Sequence, residues 1–205
     1  MKIKNILAVT ALVGLSASLQ AAPITFDFLS NGANVALGSQ STFTQSGASL
    51  TAYASPGQTI YAKDFGAGSG EQGLGLTSDP SGQNEIWGST FIQLLSSTSV
   101  SGFAIDSITA GSTSGGEVST IYYSTVLGTL GVPIGSVSAN VAFAISSIYQ
   151  NGYLGFGATG STGTQKGPNV LLGPVTGHVP DGGTTVAMLG GALTALGLIR
   201  RKLVA

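Results

Sequence analysis

The sequence predicts an all-β body, an antiparallel β-sandwich of jelly-roll-like type, with an N-terminal signal helix before it and a single transmembrane helix after it. Three observations carry this expectation. Apolar and polar residues alternate with period two in short runs rich in Val, Ile, Thr, Tyr and Phe, the pattern of half-buried strands. Clusters of Gly, Asn, Asp, Ser and Pro separate the runs roughly every ten residues, as in sandwiches and barrels. The two long uncharged apolar stretches stand at the ends of the chain.

The first element is MKIKN, with Lys2 and Lys4, followed by ILAVTALVGLSA and the small residues of SLQAAP. A positive start, a short apolar core and a small-residue exit make a secretory signal peptide over 1–21. The cleavage site is at Ala21 and Ala22: cutting after Ala21 leaves Ala22 first, whereas cutting after Ala22 would place Pro23 directly behind the scissile bond.

The body is expected over 22–172. ITFDF places Ile24, Phe26 and Phe28 on one side, and SLTAYA, TIYAKDF, STFIQLL, GFAIDSIT, VSTIYYSTV, VAFAISSI and YLGFGA continue the strand pattern. Turns are expected at Ser30-Asn31-Gly32, Ser55-Pro56-Gly57, Asp79-Pro80-Ser81-Gly82 and Ser114-Gly115-Gly116. Asn151-Gly152 reads as a hairpin joining VAFAISSIYQ to GYLGFGA. Residues 124–137 have room for one helical turn, interrupted by Gly128, Gly131 and Pro133. Residues 160–169 read as a loop, and 173–178 as a linker in which His178 is solvated. No repeat of fixed period appears, which argues against a solenoid or propeller.

The last element runs from Gly182 to Ile199 without a charge. As a helix it is about 27 Å long, close to the roughly 30 Å of a bilayer core. It has no polar face, so a buried amphipathic helix is disfavoured. Arg200, Arg201 and Lys202 follow as a stop-transfer cluster, which holds the tail end on the cytoplasmic side.

Motif, apolar span and basic cluster, in that order over 179–205, resemble a PEP-CTERM-type sorting signal. Val179-Pro180-Asp181-Gly182-Gly183 is closest to the VPDSG-CTERM variant, with the departure assigned to Gly183. The resemblance implies an exosortase-type enzyme that cuts at or near the motif. It also implies transient anchoring in the inner membrane and delivery to the cell surface or the extracellular space. ITFDFLSNG and GLGLTSDPSGQNEIWGSTFIQL resemble the generic β-sandwich bodies that accompany such tails.

Charge bounds the partners. The body holds Lys63 and Lys166 against seven acids, a net charge of −5. That is the wrong sign for nucleic acid. Without cysteine there is no disulfide and no thiol chemistry. With charged residues at 7% of the chain, solubility rests on hydroxyls and amides, a surface suited to hydrated polymer.

Four candidate sites remain. Asp79, Ser81, Asn84 and Glu85 supply oxygens of the kind calcium takes, while a polar turn with Asp79 bonding its own backbone is the plainer reading. Gly68-Ser69-Gly70-Glu71-Gln72-Gly73 matches a dinucleotide fingerprint in letters, but no helix is expected after it. Glu71, Glu85 and Glu117 have no spacing that marks a hydrolase. Trp87 and Tyr122 are candidate ligand-binding aromatics, weighed against core packing. The expected function is non-catalytic, with no required cofactor: a structural or adhesive surface or matrix protein associated with exopolysaccharide. A carbohydrate-binding, calcium-assisted module is the alternative. Ice binding, for which Thr42 and Thr44 form no repeating Thr-x-Thr ladder, and a secreted hydrolase are weaker.

Overall fold

The β-branched and aromatic runs form strands and their small-residue boundaries form turns. The computed structural model describes residues 22–64, 71–97, 102–112, 118–138, 141–158 and 169–180, with Gly190 and Leu193. The expected signal segment 1–21 lies outside these residues, as does the span 182–199 apart from Gly190 and Leu193. Among the described residues no helix is long and apolar enough to cross a membrane.

Two antiparallel sheets make a β-sandwich. Strands β1 (Ile24–Phe26), β2 (Val35–Gly38), β5 (Ile60–Asp64), β6 (Gln72–Leu76), β8 (Ala104–Ser112), β11 (Ala142–Ala144) and β13 (Leu171–His178) form a seven-stranded sheet. Strands β3 (Gln40–Gln45), β4 (Ala48–Ala54), β7 (Phe91–Ser97), β9 (Ser119–Ser124), β10 (Val132–Val137) and β12 (Asn151–Ala158) form a six-stranded one. The larger sheet is ordered β11-β8-β13-β6-β5-β2, with β1 beside β13, and the smaller β10-β9-β12-β7-β4-β3.

Alternation decides which side of each strand meets the core. Leu50, Ile92, Leu94, Ile121, Leu154 and Phe156 enter from the six-stranded sheet. Ile60, Leu74, Leu76, Ile105, Ile108 and Val175 enter from the seven-stranded one. Phe26 packs edge-on to Phe103 at 5.0 Å, and Phe28 to Phe43 at 4.9 Å, a favoured aromatic geometry. Buried Gln150 ties the sheets by hydrogen bonds: its Oε1 accepts from Ser96 Oγ on β7 and from the Ile105 N–H on β8, and its Nε2 donates to the Ile105 carbonyl.

Three sequence expectations need correction. Residues 173–178 are not a linker; they are most of β13, which lies inside the seven-stranded sheet, and the compact body extends over Pro23–Val179. Small residues masked this strand, because Gly173 and Gly177 erase the apolar alternation. Asn151-Gly152 is not a hairpin turn. β11 pairs with β8 in one sheet, a 3-10 turn covers Ser147–Tyr149, and Asn151 already begins β12 in the other sheet. Residues 124–137 hold no helix: after a loop, Val132–Val137 is an edge strand, a position where Pro133 is tolerated. Gly131 permits this return, having φ of +82° and a position where a Cβ would lie 2.0 Å from the Tyr123 carbonyl oxygen.

Candidate functional site

In the connection from β6 to β7, Asn84 and Glu85 lie as a flap over the seven-stranded sheet on the side away from Leu74 and Leu76, while Ile86 joins the core. Asp79, buried, organises this connection. Its Oδ1 accepts from the Ser81 N–H at 2.9 Å, and its Oδ2 from Ser81 Oγ at 2.6 Å and the Glu85 N–H at 3.3 Å. Asn169 Nδ2 also donates to both oxygens at 3.4 Å. The Ile86–Val170 bridge pins the far end of the flap. Gly75 makes the docking feasible, since a Cβ there would stand 1.9 Å from the Asn84 carbonyl oxygen. The flap therefore brings Asp79 and Ser81 together as a self-bonded turn.

Glu85 points elsewhere, to Lys63. In β5, Ala62 faces the core and Lys63 the other side. The flap covers that side, leaving Lys63 only 1% exposed. Its Nζ contacts the Glu85 carboxylate directly and lies 3.0 Å from Glu71 Oε2. Burial pushes the Glu85 carboxyl above its usual value, against the lowering effect of the Lys63 hydrogen bond and charge; the neighbouring charges of Glu71 and Asp79 reinforce the rise. Among the described residues no three His, Cys, Asp or Glu side chains converge as metal ligands. Gln72–Leu76, which overlaps the end of the glycine fingerprint, is a strand rather than a helix; Gly68, Ser69 and Gly70 lie outside the described residues. Glu117 lies outside the described residues.

The aromatics divide between the faces of the six-stranded sheet. Tyr123 packs inward beside Tyr149 at 5.1 Å and donates its hydroxyl to the Asn151 carbonyl. Tyr122 lies on the outer face over Gly155 and Gly157. Tyr53 and Tyr153 share that face, edge to face at 6.1 Å. Burial and the neighbouring Tyr153 push the Tyr53 hydroxyl pKa up. Thr42 and Thr51 meet on the same face through their hydroxyls at 3.0 Å. Gln93, 1% exposed, anchors the loop after β9: it accepts from the Gly128 N–H at 2.7 Å and donates to the Thr129 carbonyl at 2.8 Å. Trp87 is half-buried with its ring nitrogen inside.

The third place is the end of β13. His178 is the last residue of a strand rather than part of a linker, and its partly exposed Nδ1 bonds the Asp106 carboxylate of β8 at 2.8 Å. Exposed Val179 and Pro180 follow at once, while Ala21, Asp181, Gly182, Gly183, Arg200, Arg201 and Lys202 lie outside the described residues. From the last turn of backbone in this strand onward, residues 178–203 match the sequence profile of the VPDSG-CTERM motif. The chain ends in a VPDSG-CTERM sorting signal. No curated protein and no solved structure matches the chain.

A VPDSG-CTERM signal implies an exported, surface-sorted protein processed by an exosortase-type enzyme. Spelled against the motif's name, the departure is at Gly182, glycine for serine, and not at Gly183. VPDSG-CTERM processing meets a body with no spacer: the matched segment starts on the final residue of a paired strand. Ile24 pairs with Gly177, so the first strand of the body and the exit to the VPDSG-CTERM tail lie side by side.

Sequence reasoning did not single out Lys63 or Gln93 as site residues. Alternation marks both as outward-facing, but which outward face is covered depends on loops that return from distant parts of the chain.

Proposed function

We propose that the exported body is a non-catalytic structural or adhesive protein of the cell surface or extracellular matrix, and that its six-stranded sheet lies against exopolysaccharide. The observation that carries this reading is that face itself. None of its six strands contains an acidic or basic residue, and its outer side presents Thr42, Thr51, Tyr53, Tyr122 and Tyr153. Hydroxyls that bond along a polymer and rings that pack on sugar rings suit a neutral, hydrated chain. The VPDSG-CTERM signal supports the location.

The test is retention of a body spanning residues 22–180 on exopolysaccharide from the producing cells, in sedimentation with and without salt. Salt-resistant retention that falls on Tyr53→Ala and Tyr153→Ala supports the reading. Equal retention of the double variant would remove this face from it. A second reading, a lectin-like module, is favoured by the Tyr53–Tyr153 pair. It requires saturable binding of a short oligosaccharide, measurable by calorimetry, where the adhesive reading requires only the polymer. Calcium enters neither reading as a requirement.

A further inference from the structure

The seven-stranded sheet holds the chemistry that the sorting signal and the polymer face leave unused. The body has two cations in its sequence, Lys63 and Lys166, and a lysine is almost never fully buried unless paired. Lys63 is instead among the most deeply buried side chains, with its amine against the carboxylate of Glu85, itself 3% exposed, and a second carboxylate, Glu71, at 3.0 Å and 27% exposed. Burying an ion pair opposes folding unless its geometry offsets the lost hydration. The sequence has no cysteine for any other covalent staple.

We propose that Lys63 and Glu85 condense to an intramolecular amide, Nζ to Cδ, with Glu71 as the proton carrier. Glu71 accepts one proton from Nζ. The neutral amine adds to the carboxyl carbon of protonated Glu85, the form that burial favours. The N–C bond forms, the C–O bond breaks, and the hydroxyl leaves as water with the proton returned by Glu71. The extra proton on nitrogen passes to solvent through the exposed side of Glu71. The overall change is an ammonium and a protonated carboxyl giving an amide, one water and one proton released to solvent, with no electron transferred. The low-dielectric setting favours the product, because the reaction removes the buried ammonium charge. The link ties β5 to the flap at a separation of 22 residues and so holds the flap on its sheet under load.

The inference is independent of the polymer reading. Its test is the intact mass of the purified full chain or mature protein, followed by fragmentation of its peptides. The expected wild-type mass is one water below the sequence mass, with a branched peptide that joins the segments containing Lys63 and Glu85. Lys63→Met and Glu85→Ala should restore the full mass. Glu71→Gln, at a partly exposed position, should leave the folded protein largely unlinked. A wild-type mass without the loss, unchanged after prolonged incubation of folded protein, overturns the proposal and leaves an ion pair. So does a water loss that fragmentation places elsewhere, such as at Asp181-Gly182. The wild-type measurement needs no variant to fold.

Discussion

The seven-stranded and six-stranded sheets close one core, yet their outer faces are opposites. Lys63, Asp64, Asp106 and His178 lie in strands of the first, and Glu71, Asp79 and Glu85 in the segment that enters and covers it. The second has no acidic or basic residue in any strand. The flap buries the Lys63 cluster, while the Asp106–His178 pair of the same sheet stays exposed. The uncharged side shows hydroxyls and rings, with the Gln93 amide buried under the loop after β9. A sheet can therefore hide ions under a flap or show neutral groups.

The largest expected effect tests the hidden charges. Lys63→Met leaves Glu85 buried without its partner and should cost about 3–5 kcal/mol, read as a lower urea midpoint. Lys63→Met with Glu85→Leu should recover most of the loss, and a neutral single variant would mean the flap does not bury this pair. Next comes a matched pair of glycine substitutions, one on each sheet. Gly75→Ala drives a methyl into the Asn84 backbone and should cost about 1–3 kcal/mol while exposing the flap to protease. Gly155→Ala meets the end of the Leu130 side chain at 3.0 Å, which can turn aside, so a loss of less than about 1 kcal/mol is expected. Equal losses would erase the contrast between a docked backbone and a side chain that can yield.

The Tyr53–Tyr153 pair should be worth about 0.5–1.5 kcal/mol in a double-mutant cycle, far less than its expected effect on polymer retention. The pH profile sharpens the comparison further. Glu85's carboxyl is raised above 4.5 in the folded chain. Its contribution is therefore full below 4.5 and is lost as pH rises through the raised value. Glu85→Gln should flatten stability across that window relative to an unlinked chain, while an amide-linked wild type should be flat already. No such window is expected from substitutions on the six-stranded sheet. The smallest effect belongs to His178→Ala: an exposed pair with Asp106 should contribute no more than about 1 kcal/mol by thermal unfolding.

The sequence alone determined the all-β class, most of the longer strands and the sorting tail. Period-two alternation is a local property, and a strand such as TIYAKDF shows it without knowing its neighbours. The VPDSG-CTERM tail is legible because its three parts are contiguous. Tertiary structure alone decided that Lys63 is buried and that Glu85 faces Lys63. Each depends on a loop crossing a sheet over Gly75, and alternation says which side of a strand faces out but not whether something returns to cover it. β13 was obscured for a related reason. Its glycines give no side-chain pattern, and its place within the sheet comes from backbone pairing with β1, β6 and β8, contacts that join residues far apart in the chain.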